Sequence, residues 1–154
     1  MLLCFGDSLT AQPHAWPLRM PNAVVVAVQG ARAADVPDQL AGQPTCADAV
    51  GSIGTNDVLQ LGRPLGIDCL PSLLDAVPSQ RVALLDVLLF LPFHPIKYWP
   101  ELRSRRRAIR VALRATGLPL LRPSLGPLCW QRDGIHPNVR GQRKMAAAVA
   151  AWRS

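Results

Sequence analysis

The 154-residue chain reads as a single α/β domain, residues 1–154, built as a three-layer α/β/α sandwich on about five parallel strands. Three observations lead there. Short apolar runs recur at residues 2–5, 23–28, 47–53, 82–90 and 118–121, with helix-forming stretches between them. The runs "AVVVAV" and "VALLDVLLF" are nearly continuous rather than alternating, which marks strands covered on both faces, as in a parallel sheet. Repeated strand, crossover, strand units joined right-handedly then give helices on both faces of one sheet.

The crossovers follow in order. Asp35 is placed to cap a short helix with Pro37 in its first turn, and residues 70–77 form a second candidate with Pro71 near the start. Residues 101–116 are the clearest helix, stopped by Gly117. Its Arg103, Arg107, Arg110 and Arg114 share one stripe and its Leu102, Ile109 and Leu113 another, the signature of a surface helix with a solvated basic face. The alanine-rich "GQRKMAAAVAAWR" closes the chain as a helix. The proline-rich "LPFHPIKYWP" reads as a stiff loop that could border a site.

Composition narrows the function classes. An apolar content of 49% and a charged content of 18% belong to a globule able to bury a core without disulfides or a structural metal. The net charge of +7 raises nucleic acid as a partner, but no aromatic residues are interleaved with the arginines for base stacking, so none is expected. A noncatalytic module using the basic face for anionic partners is the rival reading. No stretch approaches the roughly 18 apolar residues of a membrane span, and no basic segment with an apolar signal core opens the chain, which as given reads as cytoplasmic. Cys4, Cys46, Cys69 and Cys129 are scattered without a CxxC pair, and His14, His94 and His136 are the only histidines. Buried free thiols and no metal site are the expectation.

Ligands of such sheets sit at the carboxyl ends of the strands, where strand order reverses. The segments after the first three strands are "GDSLT", "QGARAAD" and "GTNDV". In a flavodoxin-like order, with the first strand between the second and third, their tips converge. They then bring together the Ser8 hydroxyl, the Gly30 amide and the Asn56 side-chain amide. A hydroxyl attacking an ester or thioester carbonyl builds negative charge on oxygen, and one fixed donor there is worth roughly 3 to 4 kcal/mol. The amides of Ser8 and Gly30 with Asn56 Nδ2 supply three. Near the other end, "RDGIHPN" sets Asp133 three residues before His136, so a helix-like turn can bring the carboxylate to Nδ1 and leave Nε2 to take the Ser8 proton. Singly, each residue has an ordinary reading: Ser8 a helix cap, Gly30 a tight turn, Asn56 an Asx turn, Asp133 and His136 a structural pair. All of them in this order point to nucleophilic acyl transfer, with Asp7 shaping the turn.

The same four blocks, "FGDSLT", Gly30 in "VQGARAAD", "GTND" and "DGIHPN", resemble those of the SGNH (GDSL) hydrolases in order and across nearly the whole chain. The resemblance implies a flavodoxin-like sheet, a nucleophile at Ser8, oxyanion donors at Ser8, Gly30 and Asn56, and the pair Asp133 and His136. It also implies a small-molecule ester or thioester substrate and no metal or organic cofactor; an acyltransferase on the same site is the alternative. The chain departs from the family in its compressed interval between Gly30 and Asn56, and in Ala31, Arg32 and Ala33 where relatives carry small polar residues. Arg32 either meets an anionic substrate group or lies in solvent. Phe93 and His94, with Pro92, Tyr98 and Trp99, either wall the site or pack the loop. So compact a chain leaves little sequence for a lid, which favours a shallow, open site and short acyl groups.

Overall fold

The computed structural model describes residues 1–89 and 91–154, the Phe93 side chain apart. Five strands form one sheet: β1 (Leu2–Gly6), β2 (Ala23–Val25), β3 (Cys46–Ser52), β4 (Ser79–Leu85) and β5 (Leu120–Leu121). Their order is β2-β1-β3-β4-β5 and every pairing is parallel. The helices are α1 (Ser8–Ala11), α2 (Val36–Leu40), α3 (Thr55–Leu59), α4 (Leu70–Asp75), α5 (Trp99–Ala115) and α6 (Val139–Arg153).

Alternation along the strands sorts the core into two layers. Leu3 and Phe5 of β1, Ala49 of β3 and Leu84 of β4 face Val36, Leu40, Val58, Leu73, Leu102, Ile109 and Leu113 of helices α2 to α5. Leu2, Cys4, Val50, Ala83 and Leu85 face the opposite way, against Leu9, Trp16 and the α6 residues Met145, Ala146 and Val149. Both faces being covered, β1 is buried along its whole length, which is why its sequence lacks a polar alternation.

The boundaries differ from the sequence reading where hydrogen bonding outruns hydrophobicity. β4 begins at Ser79, because polar Ser79 and Arg81 pair with Cys46 and Asp48 of β3, and its ladder ends at Leu85. Phe90, the last residue expected there, lies outside the described residues. The regular ladder of β2 ends at Val25, yet the Val26 and Val28 amides still donate to the Cys4 and Gly6 carbonyls at 2.9 and 3.0 Å. α1 and α3 are single turns set directly on strand ends, too short to leave a helical period. The compressed crossover before β3 holds a 3-10 turn at Ala33–Asp35 and the five residues of α2. Asp35 precedes it without capping it, its carboxylate instead accepting from the Arg32 amide at 2.8 Å.

The basic face of α5 is thinner than its sequence suggests. Arg105 turns inward and donates to the carbonyls of Asp57, Val58, Gln60 and Arg63 at 2.6 to 3.2 Å, closing the end of α3. Arg106 donates to Val87 O, and Arg110 forms a two-pronged pair with Asp86 at 2.7 and 2.6 Å. Arg103, Arg107 and Arg114 remain exposed.

Gly6 sets the geometry of the first strand's exit. Its φ is +119°, and a Cβ there would meet the Ser52 carbonyl oxygen at 1.9 Å. Gly6→Ala therefore forces β1 and β3 apart, and urea denaturation should show a loss on the order of 3 kcal/mol or more. An unchanged unfolding midpoint would contradict this packing.

Candidate active site

Ser8 opens the single turn of α1, two residues after Gly6 at the tight exit of β1. Asp7 caps that turn: its Oδ1 accepts from the Leu9 amide at 3.0 Å and from the Ser52 hydroxyl at 3.2 Å. The Asp7 amide donates in turn to the Ser52 carbonyl at 3.0 Å, so the turn is locked to the end of β3. Ser8 is thereby held nearly buried, at 9% exposure, and faces His136.

His136 Nε2 lies 3.0 Å from Ser8 Oγ, across 128 positions of sequence. Its Nδ1 lies 2.6 Å from Asp133 Oδ2. A carboxylate accepts only, so Nδ1 carries the proton and Nε2 is left as acceptor for the Ser8 hydroxyl. The pair is brought together by a short hairpin rather than by the helix-like turn expected. Gln131 N–H donates to His136 O at 2.8 Å, Gly134 takes a φ of +66°, and Asp133 Oδ1 accepts from the Ile135 and His136 amides at 2.9 Å each. Asn138 anchors the hairpin by capping α6 through its Oδ1, while its Nδ2 donates to the carbonyls of Leu128 and Trp130.

Gly30 follows the Val28 exit in a turn with φ +78°, a conformation suited to a residue without Cβ. Among the described residues, the amides of Ser8 and Gly30 meet no protein acceptor. Asn56, in the first turn of α3, donates one Nδ2 hydrogen to Ala31 O at 2.8 Å and keeps the other. Arg32 is half-buried and already engaged with groups of the protein. Its Nη2 lies 3.1 Å from Asp57 Oδ1 and also donates to the Pro64 carbonyl. Asp57, whose role the sequence reading passed over, is fully buried and among the described residues takes three donors: Arg32 Nη2, the Ala33 amide at 2.9 Å and the Gly66 amide at 2.9 Å. Its signal in the sequence was its place as the last residue of the "GTND" block.

The fold has clear relatives among solved structures. The lipase/acylhydrolase from Enterococcus faecalis superposes with a TM-score of 0.75 at 17% identity, over 98% of this chain and 93% of that one. A member of the lipolytic protein G-D-S-L family from Veillonella parvula gives 0.71 at 16%, over 97% and 96%. An alpha/beta hydrolase enzyme from the metagenome of Lake Arreo gives 0.69 at 17%, over 97% and 93%. The chain has the SGNH hydrolase fold. No family model and no curated protein sequence matches it.

Within this SGNH fold the proline-rich loop contributes packing. His94 accepts the Trp99 indole N–H on its carbonyl at 2.8 Å, and its amide donates to Leu91 O; the Phe93 side chain lies outside the described residues. Tyr98 and Ile96 are exposed. Cys4, Cys46 and Cys129 are buried free thiols, while Cys69 is half-buried with its Sγ 2.7 Å from Gly66 O. Burial pushes the Cys4 thiol up to about 12. Among the described residues no three of His, Cys, Asp or Glu gather where a metal could be held, and no helix is long and apolar enough to cross a membrane.

Two carboxylates beside Ser8 titrate in opposite senses. Burial raises Asp7 to about 6, and the Leu9 amide, the Ser52 and Thr55 hydroxyls and the charge of His136 pull it only part of the way back. Partial burial also pushes Asp133 up, but the His136 amide and ring and the Ile135 amide outweigh it and leave Asp133 lowered. The folded state therefore binds the Asp7 proton more tightly than the unfolded chain does between about pH 4 and 6. Stability falls as pH rises through that window, by up to about 1.4 kcal/mol per pH unit. Asp133 works in the other direction and lower down: its contribution is complete above the ordinary carboxylate pKa and is lost as pH falls through its depressed folded value. Asp7→Asn should flatten the decline between pH 4 and 6 in denaturation curves. A slope unaltered in that variant would assign it to another group.

Proposed function

We propose that the protein is a serine hydrolase of the SGNH family that cleaves carboxylic esters or thioesters carrying short acyl groups. The observation that carries the reading is the continuous relay from Asp133 through His136 to Ser8, at 2.6 and 3.0 Å. Its neighbours in fold, named as lipases, acylhydrolases and lipolytic proteins, support it.

In this mechanism Ser8 Oγ attacks the acyl carbon as its proton passes to His136 Nε2, and Asp133 stabilises the imidazolium. The new C–O bond pushes the carbonyl electron pair onto oxygen, which the amides of Ser8 and Gly30 and the free Nδ2 hydrogen of Asn56 receive. Collapse breaks the bond to the leaving alcohol or thiol, which takes the proton from His136. Water, deprotonated by the same imidazole, then attacks the acyl-serine, releases the acid and restores the Ser8 hydroxyl.

An open groove of about 500 Å³ runs beside Gly30, lined by Val28, Gln29, Ala31, Asp35, Asp38 and Gln39. So open a groove encloses a short acyl group better than a long hydrocarbon chain. The same openness admits an alcohol in place of water, which would make the product an exchanged ester. A purely electrostatic module is less favoured, because Arg105, Arg106 and Arg110 are engaged with groups of the protein itself.

Fluorophosphonate labelling of the wild-type protein should map to Ser8 and vanish in Ser8→Ala; strong labelling elsewhere discards the assignment. Asp133→Asn should lower kcat by at least about 100-fold with KM little changed, since the carboxylate orients the imidazole rather than binding substrate; full turnover would mean that another group orients His136. Across p-nitrophenyl esters of rising chain length, activity should peak at the short end, and a peak at long chains contradicts the open-site reading.

A further inference from the structure

The loops that carry Gly30 and Asn56 are joined directly to each other. Three hydrogen bonds cross between them: Asn56 Nδ2 to Ala31 O at 2.8 Å, Ala33 N–H to Asp57 Oδ2 at 2.9 Å, and Arg32 Nη2 to Asp57 Oδ1 at 3.1 Å. Gly30 adjoins Ala31 and Asn56 adjoins Asp57, so each candidate oxyanion donor sits one residue from an anchored atom. The same Arg32 nitrogen reaches the Pro64 carbonyl, and the Gly66 amide closes on Asp57 Oδ1 at 2.9 Å. Gly66 has no room for a side chain: a Cβ would stand 2.8 Å from that oxygen. Beside these bonds the Gly30 loop is held by the Arg32 amide on the Asp35 carboxylate at 2.8 Å and the Ala31 amide on Val28 O at 3.3 Å.

We propose that Arg32 and Asp57 are positioning residues that clamp the Gly30 amide and the Asn56 side chain into one oxyanion-binding unit, with Arg32 acting through Asp57 rather than on the substrate. The inference rests on the hydrolase reading of the site. A buried carboxylate with three donors is a rigid pivot, and rigidity matters most where donors must meet a charge that exists only in the transition state. Misplacement by about 1 Å is enough to cost on the order of 100-fold in rate. Arginine suits the post because its long stem and permanent charge carry one nitrogen, Nη2, with two N–H groups to both Asp57 and Pro64.

The test compares Arg32→Met and Arg32→Lys with the wild-type protein on a short p-nitrophenyl ester, with a boronic acid as mimic of the tetrahedral adduct. Arg32→Met should lower kcat about 10- to 100-fold with KM within about twofold, weaken the boronate in step, and leave Arg32→Lys between it and wild type. In an Asn56→Ala background the further loss on adding Arg32→Met should largely disappear, because both changes disable one unit. Amide exchange at residues 30–33 should accelerate in Arg32→Met whether or not an ester is turned over, which separates failure of the clamp from failure of the hydrolase reading. Unchanged kcat and exchange in folded Arg32→Met would overturn the clamp. So would fully multiplicative losses in the double variant, or a KM rise confined to anionic substrates, which would make Arg32 a ligand.

Discussion

The site depends on how three parallel strands end side by side. Gly6 stands at the meeting point: its carbonyl accepts the Val28 amide from the β2 side, and the next residue, Asp7, donates its amide to Ser52 at the end of β3. These two backbone bonds fix where the chain leaves the sheet at three adjacent positions, and therefore where Ser8, Gly30 and Asn56 begin their loops. The positive φ of Gly6 and the absence of a Cβ against Ser52 are conditions for that closeness. The hairpin bearing His136 is then brought over the edge by α6, whose Gln142 accepts the Trp16 amide at 2.8 Å and so ties the helix to the segment following α1.

Charge in this protein is spent inside as much as outside. Asp57 binds Arg32, Asp86 binds Arg110 and Arg122, and Asp48 takes Arg81 and Arg153. In each pair the carboxylate is buried and the arginine reaches partly into solvent, so the pair adds little net stability compared with apolar packing, but removing the arginine leaves a stranded buried charge. Their value is geometric. Arg105, with four carbonyls, and Arg32, with a carboxylate and a carbonyl, both hold the segment from Asp57 to Gly66, adding fixed polar contacts to the packing of Val58, Leu59, Leu61 and Leu65 against the core. A short chain that cannot surround its loops with extra helices fastens them with guanidinium groups.

Much of this was legible in the residues. Near-continuous apolar runs gave the parallel sheet, because burial on both faces removes the need for polar alternation, and the four blocks placed Ser8, Asp133 and His136 in one neighbourhood before any coordinates. Three things were hidden. One-turn helices such as α1 and α3 are set by capping and strand exit, which leave no period. The hairpin around Gly134 depends on carboxylate to amide bonds that spacing alone cannot distinguish from a helical turn. Partner choice was the deepest gap: Arg32 looked solvated or substrate-facing because nothing local reveals that Asp57, 25 positions on, is buried opposite it. Of the arginine stripe, Arg103, Arg107 and Arg114 are exposed as expected, and Arg110 departs from it for the same reason: its pairing with the distant Asp86 leaves no local pattern.

The central claim is that a hydroxyl, an imidazole and three N–H donors converge on a single reacting carbon and its oxygen. A crystal structure of the protein after reaction with a small phosphonate tests it most directly. The account predicts phosphorus bonded to Ser8 Oγ, with its oxyanion about 3 Å from Ser8 N, Gly30 N and Asn56 Nδ2 and His136 Nε2 turned toward the leaving-group side. An adduct whose oxygen points into solvent, away from Gly30 and Asn56, would contradict it.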